Sequence, residues 1–71
     1  MKVVYDTETD TMILILRQEP VSASDEVREG IIIDYNKEGR IVSIEILDAS
    51  DQVFEPQGIL YELRGKERAV A

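Results

Sequence analysis

The sequence predicts a small α+β domain. Its sheet is antiparallel, with four or five strands from two hairpins and a C-terminal strand, and one short helix follows strand four. Three observations predict this. Short runs of apolar residues alternate with period two, the period of a strand. Turn-forming residues cut these runs at close intervals, as in hairpin-rich proteins. One stretch, after Leu47, changes to helical spacing.

The first predicted strand is residues 2–6, with Val3 and Tyr5 on one side and Val4 on the other. Residues 7–10 are polar and read as a connection. Residues 11–17 alternate Met12, Leu14 and Leu16 against Ile13 and Ile15, giving the second strand. Residues 19–25 contain Pro20 and two serines without a pattern, and read as a loop. Residues 27–35 form the third predicted strand, with Gly30 as a bulge. Residues 40–47 form the fourth. Between them, Asn36-Lys37-Glu38-Gly39 suits a type I turn closed by a left-handed glycine. Asp48 or Ser50 can cap the helix, Ala49, Val53 and Phe54 lie at helical spacing, and Pro56 and Gly58 end it within about two turns. Residues 59–64 fit a strand through Ile59, Tyr61 and Leu63, although Ile59, Leu60 and Leu63 would equally serve a helical turn. The strand is favoured because Gly58 and Gly65 bracket too few residues for a helix. The expected domain is residues 1–65, with a frayed tail over 66–71.

The turn implies a register. Pairing Asn36 with Arg40 sets Asp34 against Val42, Ile33 against Ser43 and Ile32 against Ile44. One face then carries Ile32, Val42, Ile44 and Ile46, with Asp34 at its turn end. The other carries Ile31, Ile33, Tyr35, Ile41, Ser43 and Glu45. Antiparallel sheets usually keep one wet face, yet both of these are rich in isoleucine. One short helix cannot cover both, so a homodimer is expected, with Ile31, Ile33, Tyr35, Ile41 and Glu45 at its interface.

Size points the same way. A chain of 71 residues holds a core worth only roughly 3–5 kcal/mol. It has no cysteine and no histidine, so disulfides, thiolate metal sites and imidazole-bound zinc are excluded. Self-association is the remaining support. The 8 basic and 15 acidic residues give a formal charge of −7, which would repel a phosphate backbone. Direct nucleic-acid binding is therefore not expected, whereas a basic protein partner is compatible. No apolar run approaches the ~20 residues of a membrane span, and no basic-then-apolar leader opens the chain. A cytoplasmic location away from membranes is the expectation.

Catalysis finds little support. No Cys is present, no His can activate a Ser, and no glycine-rich phosphate loop occurs. Asp6, Glu8 and Asp10 resemble the opening of a calcium loop, but Thr11 stands where its glycine belongs and Arg17 where its glutamate belongs. They read as a solvated hairpin turn. Asp34 and Glu45 lie inside apolar strands, but the implied register separates them onto opposite faces, against an acid–base pair. Glu45 is expected to pair with Arg28 or to face an interface. No catalytic residue, metal ligand or cofactor is assigned, and no enzyme activity is expected.

Three stretches carry a family resemblance: Tyr5-Asp6-Thr7-Glu8-Thr9-Asp10-Thr11-Met12, Gly30-Ile31-Ile32-Ile33-Asp34-Tyr35, and Gly39-Arg40-Ile41-Val42-Ser43-Ile44-Glu45-Ile46-Leu47-Asp48-Ala49-Ser50. Together they resemble the small bacterial and archaeal family called domain of unknown function 2283, over residues 2 to about 50. Family members usually have proline where this chain has Thr7. The resemblance implies a compact β-rich fold and no established activity. It also implies, through genes sometimes found beside small nuclease toxins, an antitoxin role. The expected function is thus a non-enzymatic homodimeric protein–protein interaction module. An acidic, antitoxin-like inhibitor of a basic nuclease is the alternative, and a carboxylate-based metal enzyme is a remote third.

Overall fold

A computed structural model describes residues 1–65. The expectation of a frayed tail over 66–71 lies outside the described residues. Five strands, β1 (Lys2–Asp6), β2 (Thr11–Ile15), β3 (Ala23–Arg28), β4 (Ile31–Tyr35) and β5 (Ile41–Ile46), precede one short helix, α1 (Ala49–Gln52). They form a single antiparallel sheet in the order β1-β2-β5-β4-β3.

The α+β class and the antiparallel sheet agree with the sequence reading, but the fifth strand has a different origin. The expected third strand is two. Gly30, at φ +83°, turns the chain between β3 and β4, where a β-bulge was expected. Half of the expected loop over 19–25 joins β3. That strand has no apolar alternation and is exposed along its whole length, so periodicity gave no sign of it. Residues 59–64 form neither strand nor helix, so no C-terminal strand joins the sheet. The helix therefore follows strand five. It runs four residues rather than two turns, and Phe54 beyond it is 96% exposed.

The turn at residues 36–39 forms as its residues dictate. Asn36 accepts the Gly39 amide through its carbonyl oxygen at 3.0 Å. Its side-chain Oδ1 accepts the amides of Glu38 and Arg40. Gly39 takes φ +81°, open to glycine at no steric cost. The Asn36 amide donates to the Arg40 carbonyl at 2.9 Å, so the expected closing pair is present.

Beyond that pair the register departs. Tyr35 opposes Ile41, but Asp34 opposes Ser43, and the ladder shifts between them. Val42 is the extra residue. A one-residue bulge moves every later side chain to the other face. Ile33 therefore meets Ile44, Ile32 meets Glu45 and Ile31 meets Ile46, one place from the expected pairing.

Directly paired residues share a face, so the registers sort the sheet into rows. One face carries Val3, Leu14, Ile44, Ile33 and Asp25 across one row, and Tyr5, Met12, Ile46, Ile31 and Arg28 across the next. Tyr35 and Ile41 extend it. This is the apolar face. The other carries Lys2, Ile15, Ser43, Asp34 and Ser24, then Val4, Ile13, Glu45, Ile32 and Glu26. This is the mixed face. Of the expected interface residues, Ile31, Ile33, Tyr35 and Ile41 stay together, Ile44 and Ile46 join them, and Glu45 moves to the mixed face with Ser43.

Between β2 and β3 the chain crosses the sheet end through residues 16–22. The amides of Leu16 and Arg17 both donate to the Val42 carbonyl, and the Ser22 amide donates to the Tyr35 carbonyl. At the opposite end lies α1, whose Ala49 amide donates to the Asp10 carbonyl at 2.8 Å.

The buried apolar residues among those described are Met12, Val42 and Ala49. The other apolar residues of the apolar face keep partial exposure. The chain exposes 6075 Å², whereas a compact monomer of its 8.1 kDa exposes roughly 4,500 Å².

The turn at residues 36–39 supports the register of both central strands, so strain there should be felt globally. Gly39→Ala has open space for the methyl but must hold an alanine in the left-handed region. It should cost about 1–2 kcal/mol in urea unfolding, against little change for Lys37→Ala. An equal effect of the two would remove the conformational role of Gly39.

Candidate functional site

The bulge brings together on the mixed face the two carboxylates that the sequence reading kept apart. The Asp34 row supplies a serine on either side. Ser24 Oγ donates to Asp34 Oδ1 and Ser43 Oγ to Asp34 Oδ2, each at 2.6 Å. Asp34 is 4% exposed and sits near the turn end of β4, as expected, but buried between its serine neighbours. Glu45 lies one row away on β5, on the same face and close enough to perturb it. Arg28 is not the partner of Glu45; the ion pairs among the described residues are Arg17–Glu19 and Arg64–Glu62.

The electrostatics follow from this contact. Burial opposes ionisation of Asp34, but the Ser24 and Ser43 hydroxyls and the Glu45 carboxyl donate to it. Together they hold its carboxyl below the usual aspartate range. Glu45 is pushed the other way, first by its hydrogen bond to Asp34, then by burial and the neighbouring negative charge. Neighbouring carboxylates disfavour each other's ionisation, so Asp34 is the more readily ionised of the two and Glu45 the less.

An open cleft of about 630 Å³ lies over this pair. Ile13, Ile15 and Val42 give it an apolar floor, and the crossover residues Arg17, Glu19, Pro20 and Val21 form one wall. That wall is fastened by Asn36 Nδ2, which donates to Glu19 Oε1 at 2.8 Å, and by the Arg17–Glu19 pair at 3.2 Å. Asn36 and Arg17 together lower the Glu19 pKa. Chemically the pair can hold or exchange one proton. Both Asp34 oxygens already accept hydroxyls, so its immediate effect is to lock β3, β4 and β5 together.

A second carboxylate ties the other end. Asp10, at φ +55°, accepts the Ser50 amide at 3.0 Å and the Ser50 hydroxyl at 2.6 Å. It also accepts the Tyr5 hydroxyl at 2.6 Å. The Ser50 and Tyr5 bonds lower its pKa, and Asp10 in turn raises that of the Tyr5 phenol. Asp48, expected as a cap, takes the left-handed conformation and makes no side-chain cap bond. Asp10 caps α1 instead, from forty residues away in sequence. The three acidic residues of the first turn do not converge. Asp6 accepts the Glu8 amide while Asp10 faces α1, and no group of three metal-ligating side chains occurs among the described residues.

The sequence reading missed the Asp34–Glu45 contact because no residue type marks Val42 as a bulge. The available signal was the polar Ser43 inside an apolar run. A serine there is explained by a buried carboxylate opposite.

The pair gives a pH signature. Glu45 binds its proton more tightly in the fold than in the unfolded chain. Its contribution is full below the ordinary glutamate range and is lost as pH rises through its raised value. Asp34 is lowered, so its contribution is present above the ordinary aspartate range and is lost as pH falls through its folded value. Glu45→Gln keeps a donor to Asp34 and removes the titration. Urea unfolding at fixed protein concentration, from about pH 4.5 to 7.5, should show wild type losing stability relative to Glu45→Gln as pH rises. Parallel profiles would remove the raised Glu45 titration. At the other end, Asp10→Ala should release α1. Hydrogen exchange at the Ala49 and Ser50 amides should then accelerate at least tenfold, by loss of the cap, and unchanged exchange would reject the tie.

No curated protein and no solved structure is found to match the chain. A family model, described as a protein of unknown function (DUF2283), matches residues 2–50. The matched stretch takes in all five strands, the Asp34–Glu45 pair and both partners of the Asp10–Ser50 tie. The chain therefore belongs to the DUF2283 family of proteins of unknown function.

Proposed function

We propose that this protein is a non-enzymatic, homodimeric protein–protein interaction module whose copies meet through the apolar face. One observation carries the reading. A five-stranded sheet presents Val3, Leu14, Ile31, Ile33, Ile44 and Ile46 on one side, each still partly exposed, and the one helix makes only marginal contact with the strands. Monomers seldom leave more than a few hundred Å² of contiguous apolar surface open. A two-fold axis would cover the face with the same face of a second copy, giving the two-layer packing that sheets ordinarily need.

The interface differs in composition from the one expected from sequence. Ile31, Ile33, Tyr35 and Ile41 remain in it, Ile44 and Ile46 enter, and Glu45 leaves. This makes the face more uniformly apolar and takes an acidic side chain out of the contact. The mixed face stays open to solvent in such a dimer. Its carboxylate pair is engaged by serine hydroxyls, which supports a structural rather than a catalytic role.

A second reading, an acidic inhibitor of a basic protein, draws on the charge of −7 and on the exposed Asp25, Glu26 and Glu29 around the β3–β4 turn. It predicts a basic partner that co-purifies from the native cell and dissociates with salt.

The dimer is tested by light scattering after size exclusion. Wild type should run as a dimer at micromolar concentration. Each isoleucine buried in the interface is worth roughly 1.5–3 kcal/mol, so Ile33→Glu should yield monomer of lower stability. Glu26→Gln, on the opposite face, should leave the dimer unchanged. A wild type that stays monomeric at high micromolar concentration rejects the reading.

A further inference from the structure

Among the described residues after α1, the large apolar side chains from Phe54 onward are mostly exposed. Phe54, Leu60, Tyr61 and Leu63 are 96%, 88%, 76% and 77% exposed, and Ile59 is 64% exposed. From residue 59 the side chains alternate: Ile59, Tyr61 and Leu63 fall on one side of an extended chain, and Leu60, Glu62 and Arg64 on the other. That is the pattern of a strand, yet no ladder joins it.

An edge that suits it exists. β1 is an outer strand and carries Val3, Val4 and Tyr5. Its pairing with β2 runs through five residue pairs without a bulge, and it contains no proline. Such an unbulged edge, apolar at its centre between Lys2 and Asp6, is open to strand addition. The other outer strand, β3, is guarded by a register shift near its end and by Asp25, Glu26 and Arg28, devices that discourage pairing.

We propose that in the homodimer residues 59–63 of each copy add as a strand to the β1 edge of the other copy. This rests on the homodimer reading above and specifies how the copies are joined. Ile59, Tyr61 and Leu63 would continue the apolar face beside Val3 and Tyr5. The segment starts beside its own β1, since Tyr5 and residues 54–58 line one cleft, and still leaves that edge unpaired. Stacked sheets lie about 10 Å apart, and the five residues 53–57 can span roughly 16 Å, enough to pass from one layer to the next. Area argues the same way. A standard stable interface buries about 800 Å² of accessible surface per partner, and a face of five short strands is small for that. The exposed apolar segment supplies area of the kind that is missing.

The chain has no cysteine, so introduced thiols report cleanly. Val3→Cys and Tyr61→Cys, prepared as separate full-length chains, are mixed and mildly oxidised. The covalent heterodimer joining positions 3 and 61 should form at least fivefold more than when Lys37→Cys replaces Tyr61→Cys. In the double variant Val3→Cys/Tyr61→Cys, the same link should join two chains. A link closing within one chain would overturn the proposal, because the segment would then return to its own edge. Yields at the control level, with wild type still a dimer by light scattering, would overturn strand exchange and leave the dimer standing. A monomeric wild type would overturn both.

Discussion

Val42 has no partner across the β4–β5 ladder, and the distribution of side chains between the two faces depends on that. Without the bulge, Ile44 and Ile46 would stand beside Ile32, and Glu45 would stand among Ile31 and Ile33. With it, five isoleucines of the central hairpin gather on one side, and Asp34, Ser43 and Glu45 gather on the other. The carbonyl of the same residue accepts the amides of Leu16 and Arg17. It thus fixes the start of the crossover that carries the chain to β3. Face chemistry and chain path are set at one position.

The polar framework follows from that arrangement. This chain is acidic, but its structural carboxylates are not satisfied mainly by cations. Asp34 accepts two serine hydroxyls, and Asp10 accepts a serine hydroxyl, a tyrosine hydroxyl and an amide. Hydroxyl donors bring no charge into the sheet and hold short, directional contacts. Among the described residues no buried side-chain polar atom lacks a partner. Asp34 joins the three strands β3, β4 and β5, and Asp10 joins the first hairpin to the helix.

Much of this was legible in the residues, but unevenly. The strands with period-two alternation, β1, β2 and β5, follow directly from pattern, as does the Asn36–Gly39 turn. β3 was invisible because it is an exposed edge with Ser24, Asp25, Glu26 and Arg28, where no burial imposes alternation. The helix start was placed correctly near Asp48 to Ser50, but its cap was assigned locally while the real acceptor is Asp10, and no local rule sees a contact across forty residues. The candidate pair was hidden by the bulge: one unpaired residue changed Asp34 and Glu45 from groups on opposite faces into neighbours on one face. Residues 59–64 have the alternation of a strand without a ladder, because alternation records what a segment can pair with and not whether its partner lies in the same chain.

The strand order has a consequence for how the molecule opens. β1 with β2, and β3 with β4 and β5, are two units of local contacts. They meet along one seam, where Met12 to Ile15 pair with Ser43 to Ile46, more than thirty residues apart at the Met12–Ile46 pair. Closing that distance carries a loop-entropy cost that local hairpins avoid. Opening along the seam would part the sheet into two pieces, each held by local hairpin contacts. Amides of Leu16, Arg17 and Ala49, which donate at its two ends, would share one opening rate, distinct from that of the β4–β5 ladder within the second piece.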